Sequence, residues 1–156
     1  MSIASGETGL ALRPAATVRT QLAQSAGPGT RIVVDWFVAL CEGRFDDAMT
    51  LMEPSGPYFL LRQRKTITNA EFGEILRGLI GTTFTRPIAW SLGPITEQDD
   101  RVAAMAGSHV PLIAGGTYEN LYHFLFHVKD GRIAAAYEFG DTFRSAQTFA
   151  APPGKS

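Results

Sequence analysis

The second half of the sequence constrains the fold most strongly, because it is a succession of long strand-like stretches separated by short turns. These stretches cover residues 84–96, 101–113, 117–129 and 132–141. The connection Lys129-Asp130-Gly131 has the Asp-Gly pair that favours a tight hairpin. We therefore predict a meander of antiparallel strands, with one hydrophobic face that other elements must cover.

The first half of the sequence supplies helices for that purpose. Apolar residues recur at three- and four-residue spacing after Thr30, a candidate N-cap, and helical spacing continues until Pro54. Asn69 is the predicted N-cap of a third helix, and a brief strand at 58–61 precedes it. Helices gathered on one side of a mostly antiparallel sheet define the α+β class, and long curved strands leave a hollow between the two layers.

The 156 residues are enough for one domain with its own core. Residues 1–29 are rich in small and polar residues and end in Gly27-Pro28-Gly29, so we predict an N-terminal extension that is flexible or covers a sheet edge. The domain itself is predicted at 30–150, with a final short helix at its end. Residues 151–156 are predicted to be a tail.

Charge and hydrophobicity exclude two classes of partner. Fourteen basic and fifteen acidic residues give a formal net charge of −1, so no strong field would attract nucleic acid or an anionic membrane. No apolar run approaches the ~20 residues of a membrane-spanning helix. The first thirty residues lack the compact apolar segment of a secretory signal, so we expect a cytoplasmic protein.

The sequence also predicts that the protein uses neither a metal nor a cofactor. Its single cysteine, Cys41, excludes a multi-cysteine metal site, and no Gly-rich phosphate loop is present. His123 and His127 lie in one predicted strand, where four residues span ~13 Å, too far for both to bind one metal ion.

Two segments carry a resemblance to a known family. One is the helix at 34–46; the other is a hairpin with an aromatic-x-Asn-x-Tyr strand at 118–122, an Asp-Gly turn, and a closing acidic-aromatic-x-Asp-Thr segment at 138–142. Together they resemble the SnoaL-like branch of the nuclear transport factor two-like superfamily, which includes ketosteroid isomerases, limonene-epoxide hydrolases and polyketide cyclases. The likeness covers about 30–149.

This resemblance implies a cone-shaped, curved antiparallel sheet packed against three N-terminal helices and enclosing an apolar pocket. It also implies a homodimer formed through the outer sheet face. The side chains predicted on that face are partly apolar: Leu121, His123, Leu125 and His127.

Family mechanisms transfer only in part. Trp36 stands where a ketosteroid isomerase would have its oxyanion tyrosine, and Leu60 stands where it would have its proton-shuttling aspartate. Steroid isomerisation by that mechanism is therefore not expected. Glu138 aligns with one catalytic aspartate of the epoxide hydrolases, but the segment 107–109 lacks the other acid and its arginine.

Glu138 is nevertheless the main candidate for chemistry. Strand alternation places Asn120 and Tyr122 on one face, which the resemblance turns inwards, and Glu138 follows on the next strand between small residues. Burial disfavours the charge of a carboxylate, so Glu138 would serve as a general acid or as a base near neutral pH. The alternative is a structural hydrogen-bond network with Asn120, Tyr122 or Trp36.

His109 is the predicted proton-transfer partner of Glu138. The alternative is a surface or interface histidine, because Pro111 can mark the edge of a sheet. Aromatic and methionine side chains are predicted to line or support the pocket, although most would serve equally as core. They are Trp36, Met49, Met52, Tyr58, Phe72, Leu76, Trp90 and Met105.

Two functions follow from these observations. The first is cofactor-free general acid-base chemistry, of isomerase, cyclase, hydratase or lyase type, on a small apolar or aromatic molecule. The second is a non-catalytic ligand-binding or dimerisation module of the same fold. The basic run 62–65 is either a solvated loop or an attractor for an anionic substrate.

Overall fold

A computed structural model describes residues 9–149 of the chain. The helices are α1 (Ala15–Thr20), α2 (Pro28–Cys41), α3 (Phe45–Thr50), α4 (Asn69–Leu79) and α5 (Thr142–Phe149). The strands are β1 (Arg13–Pro14), β2 (Pro57–Leu60), β3 (Lys65–Thr68), β4 (Ala89–Gln98), β5 (Arg101–Pro111), β6 (Thr117–Lys129) and β7 (Arg132–Gly140). A 3-10 turn at Leu61–Gln63 joins β2 to β3.

The strands form one seven-stranded sheet in the order β1-β4-β5-β6-β7-β2-β3. The predicted meander is its centre, and neighbouring strands from β4 to β7 are antiparallel. β2 joins β7 in parallel, which places Leu60 opposite Glu138. Helices packed on this mixed sheet confirm the predicted α+β class.

Helix α2 forms the centre of the core, as its apolar spacing predicts. Trp36 and Phe37 are fully buried, and Phe37 makes edge-to-face contacts with Trp90 and Phe124 across the helix–sheet interface. Burying one such side chain contributes about 1.5–3 kcal/mol. The helix is therefore anchored on the sheet by aromatic packing.

The start of α2 differs from the sequence prediction. Thr30 is not the N-cap, because the helix begins two residues earlier and Gly27 is the N-cap. The carboxylate of Glu97 in β4 accepts hydrogen bonds from Thr30 N at 3.1 Å and Thr30 Oγ1 at 3.3 Å. An anion at this point compensates the positive end of the helix dipole. A side chain on Gly29 would place its Cβ 2.1 Å from Glu97 Oε1, so the Glu97 carboxylate would have to move away from the helix start.

Helix α4 is also capped by a different residue from the one predicted. The N-cap is Thr68, which forms a capping box with Glu71. Asn69 is instead fully buried, and its amide donates to the carbonyl oxygen of Glu53 at 2.8 Å. The prediction failed because either residue type is a good N-cap, and the buried acceptor is distant in sequence.

Most strand bounds depart from the prediction by a few residues, and two departures have a clear local cause. β4 begins at Ala89 and not at residue 84, because Pro87 lacks the N–H that a strand needs. In the predicted basic loop at 62–65, residues 62 and 63 end the 3-10 turn, residue 64 connects the two elements, and residue 65 begins β3. Arg64 reverses the chain there with a φ of 48°.

Residues ahead of α2 pack along the edge of the sheet. β1 pairs with β4, placing Arg13 opposite Leu92, and Leu12, Ala15 and Val18 are buried. Residues 1–8 and the predicted tail at 151–156 lie outside the described residues. No helix within 9–149 has both the length and the apolar character needed to cross a lipid bilayer.

Candidate active site

A cavity of about 150 Å³ lies between the inner face of the sheet, α4 and α5. Its wall is mostly apolar: Leu60, Phe72, Ile75, Leu76, Leu79, Phe84, Ile88, Trp90 and Phe149. The polar residues of the lining are Arg62, Gln63, Tyr118, Tyr122, Glu138 and Ser145. An apolar cavity of roughly this volume accommodates benzene in another protein. The space therefore suits a molecule with one ring.

Glu138 enters this cavity from β7 and is only partly exposed. The hydroxyl of Tyr58 donates a hydrogen bond to Glu138 Oε1 at 2.9 Å. Burial raises the pKa of Glu138 from the usual 4.5 to about 7, against the opposing effects of the Tyr58 hydrogen bond and the positive charge of Arg62. The carboxyl thus changes charge near neutral pH.

Tyr58 holds this carboxyl in place from behind the cavity wall. Its side chain is fully buried, and its ring stacks on Phe72 with centroids 3.8 Å apart. Burial and the neighbouring Glu138 raise the pKa of Tyr58 well above its ordinary value. Tyr58 therefore stays protonated and remains a donor to Glu138.

Less space is available beside Glu138 than the small residues on the same face of its strand suggest. A Cβ built on Gly140 would lie 2.8 Å from Cδ1 and Cε1 of Tyr122. The ring of Tyr122 thus fills the room over Gly140 and itself lines the cavity. Ala136 is fully buried, so the ligand space lies above Glu138 and towards α4 and α5.

A cluster of hydroxyl groups forms the second polar feature of the wall. The hydroxyls of Tyr118 and Tyr122 are 2.7 Å apart, and Asn120 donates to Tyr118 at 3.0 Å and to Ser145 Oγ at 3.1 Å. Ser108 Oγ donates to the Tyr122 hydroxyl at 3.5 Å. Asn120 itself lies behind the wall, where it orients the two tyrosines.

The prediction that His109 faces Glu138 is wrong. β5 pairs His109 with Glu119 on the outer face of the sheet, and His109 Nε2 lies 3.4 Å from Glu119 Oε1. Met105 is opposite His123 on that same face and does not line the cavity. Small and apolar residues occupy both faces of β5, so alternation did not reveal which face is inner.

The other predicted pocket residues divide into wall and core. Phe72, Leu76, Trp90 and Tyr122 line the cavity. Trp36 does not: it is fully buried, and its rings pack against Phe37, Phe72 and Phe126. Met49 and Met52 are likewise absent from the wall; Met52 belongs to the core, and Met49 packs against Gly73.

Sequence reasoning missed the mouth of the cavity. Arg62 and Gln63 come from the 3-10 turn, Ile75 from the exposed side of α4, and Phe149 from the end of α5. These residues are separated by up to 87 positions in the chain. The only available signal was the basic run beginning at Arg62.

Among residues 9–149, no group of three or more His, Cys, Asp or Glu side chains is placed to hold a metal ion. Cys41 Sγ accepts a hydrogen bond from Trp90 N at 3.2 Å. Burial raises the pKa of this thiol, which keeps it in its unreactive protonated form.

The seven-stranded sheet, the helices on its inner face and the cavity between them give the chain the same fold as the solved nuclear transport factor two-like and SnoaL-like proteins. The resemblance seen in the sequence is thereby confirmed at the level of the fold. No protein-family model matches the sequence, and no curated protein matches it significantly.

Solved structures provide the comparison. A nuclear transport factor two-like protein of unknown function from Burkholderia pseudomallei is similar with a TM-score of 0.70 and 12% identity, over 81% of this chain and 100% of the other. An LEH-like epoxide hydrolase from M. tuberculosis has a TM-score of 0.66 and 16% identity, over 78% of this chain and 88% of the other. A protein assigned as a SnoaL-like polyketide cyclase from Jannaschia sp. CCS1 has a TM-score of 0.65 and 17% identity, over 85% of this chain and 99% of the other.

Proposed function

We propose that the protein is a cofactor-free enzyme that uses Glu138 for general acid-base chemistry on a small, mostly apolar molecule. The observation that carries the proposal is a carboxyl group in an apolar cavity with a pKa of about 7. A group with such a pKa can both accept and return a proton near neutral pH. Among the described residues that line this cavity, Glu138 is also the only one with a carboxyl group.

Enolisation of a carbonyl compound is the simplest reaction of this kind. Glu138 Oε1 is held by Tyr58, whereas Oε2 has no hydrogen-bond partner among the described residues and would take the proton. The carbon–hydrogen bond breaks, its electron pair moves towards the carbonyl oxygen, and an enolate forms. In a β,γ-unsaturated carbonyl compound the negative charge also reaches the γ-carbon, and return of the proton to that carbon gives the conjugated isomer. Attack by the enolate carbon on a second carbonyl of the same molecule closes a ring, and the proton held by Glu138 then goes to the alkoxide oxygen that this attack forms.

The tyrosine cluster is suited to stabilise the enolate oxygen. Ser108 donates to the hydroxyl of Tyr122, and Tyr118, which accepts from Asn120, can give its own proton to that hydroxyl as well. Tyr122 then has its proton free for an oxygen in the cavity. Such a donor aimed at a developing charge typically contributes about 10²–10³-fold in rate.

The structural neighbours support an enzyme of this general kind, because they include proteins described as a polyketide cyclase and an epoxide hydrolase. The cavity wall is less suited to epoxide hydrolysis, since it contains one carboxyl and no second acid to activate water. We therefore favour isomerisation or cyclisation. A ligand-binding module without turnover is the alternative.

Exchange of α-protons for deuterium is the direct test, because it detects enolisation whatever product follows. Phenylacetone, a single-ring ketone, would be incubated with the protein in D₂O and followed by proton NMR. We expect exchange that increases with pH around a midpoint of about 7, because the carboxylate is the base. The Glu138→Gln variant should exchange about 10²–10⁴-fold more slowly.

Glu119→Gln is the matched control, since Glu119 lies on the outer face of the neighbouring strand. It should leave the exchange rate unchanged. Exchange that is equally fast in the Glu138→Gln variant would refute the role of Glu138. Binding of the ketone without exchange would favour the ligand-binding alternative.

A further inference from the structure

We infer that the natural ligand of the cavity carries a carboxylate, and that Arg62 holds this carboxylate at the mouth. This inference rests on the proposed function and names its substrate class: a compact, single-ring monocarboxylic acid with a carbonyl group. Its evidence comes mainly from the position and surroundings of Arg62, together with the effect of this cation on Glu138.

Arg62 is held over the opening of the cavity. It belongs to the 3-10 turn and lines the cavity, although its side chain is exposed. Its guanidinium carbon lies 5.1 Å from the centre of the Phe149 ring. That ring packs edge-on against Tyr118, with centroids 5.2 Å apart. The aromatic contact therefore favours a position of the cation at the mouth of the cavity.

Within residues 9–149, no carboxylate lies close enough to Arg62 to form an ion pair with it, although its charge reaches Glu138 at longer range. Three other arginines, Arg44, Arg77 and Arg132, each form an ion pair with a carboxylate. Arg62 forms no ion pair and no side-chain hydrogen bond there. Its five donors, fixed in a planar fork, are thus available to a ligand.

The positive charge of Arg62 also acts on the interior of the cavity, because it lowers the pKa of Glu138. The cation at the mouth and the carboxyl in the wall therefore act on the same enclosed space. A ligand carboxylate beside Glu138 would be repelled once Glu138 ionises. A ligand carboxylate bound to Arg62 would instead have a cationic partner, and the rest of the ligand would lie near Glu138.

The geometry favours a carboxylate over a phosphate. A guanidinium can bind either group through two parallel hydrogen bonds, so the number of cations at the mouth decides: Arg62 is the one cation among the described residues that line the cavity, and its single charge matches a carboxylate and not a doubly charged phosphate. Arg64 and Lys65, the nearest cations in sequence, do not line the cavity. The volume of about 150 Å³ limits the apolar part of the ligand to about one ring.

Binding of two non-reacting probes tests this inference. Phenylacetate and its neutral counterpart phenylacetamide would be titrated into wild-type protein, Arg62→Gln and Arg64→Gln at constant ionic strength, by calorimetry or NMR. Arg64→Gln is the matched control, since it removes the same charge from the same exposed segment but outside the cavity wall. We expect wild type and Arg64→Gln to bind phenylacetate at least about tenfold more tightly than phenylacetamide, and Arg62→Gln to lose this preference.

Equal affinity for the two probes in wild type would overturn the inference, as would the absence of binding by either. The same conclusion would follow if Arg64→Gln lost the preference as fully as Arg62→Gln. These outcomes are separate from the test of the proposed function, because neither probe needs to react. If the protein binds phenylacetate through Arg62 but exchanges no α-protons, this inference stands and the catalytic proposal is refuted.

Discussion

Replacing Glu138 with Gln should stabilise the protein at high pH, because it removes a buried negative charge. The pKa of Glu138 is about 7 in the folded protein, against 4.5 for an ordinary glutamate. A group whose pKa is raised by folding stabilises the folded state most below its unfolded pKa, and this stability is lost as pH rises through the folded value. Each pKa unit of difference corresponds to about 1.4 kcal/mol. The wild type should therefore lose about 3 kcal/mol relative to Glu138→Gln between acidic pH and about pH 8.

Glutamine is the appropriate replacement, since its carbonyl oxygen can still accept the hydrogen bond from Tyr58. Denaturant unfolding of both proteins at several pH values would measure the difference in the free energy of unfolding. Most of the change should occur between about pH 5 and pH 8. A difference that does not vary with pH would mean that Glu138 does not titrate in this range. That result would also refute the proposed role of Glu138 in acid-base chemistry.

Two further predictions concern other parts of the molecule. Glu97→Ala should lower the free energy of unfolding, measured by denaturant titration, by about 1 kcal/mol, because it removes the anionic cap at the start of α2. The control variant Glu74→Ala, on the exposed side of α4, should have little effect in the same titration. The predicted homodimer would use the outer sheet face, so the protein should show twice the chain mass by light scattering, and Leu125→Glu should yield the monomer. A wild type with the mass of one chain would contradict this prediction.

The sequence was sufficient to predict the architecture because periodic patterns are local. The meander and the three main helices were visible in hydrophobic spacing and turn residues, and β6 has the predicted bounds of 117–129. Alternation also divided the side chains of that strand into two faces, and the resemblance to the family turned the correct face inwards. Where alternation was absent, as in β5, the prediction for His109 failed.

The candidate site was predicted less completely, because its contacts join distant segments. Glu138 was identified from its small neighbours, although the ring of Tyr122 proved to occupy the space over Gly140. The placement of Arg62 beside Phe149 depends on how α5 returns across the sheet, and no local pattern indicates it. The Glu97 carboxylate at the start of α2 was missed for the same reason.

The parallel contact between β2 and β7 has a consequence for folding. The hydrogen bond between Tyr58 and Glu138 joins residues 80 positions apart, whereas β4 to β7 are joined by short turns and can pair with their neighbours early. Closing the longer loop carries a greater entropic cost. A partly folded chain can therefore contain the whole meander and still lack the donor that positions Glu138. The site is therefore complete only once the early strand has docked.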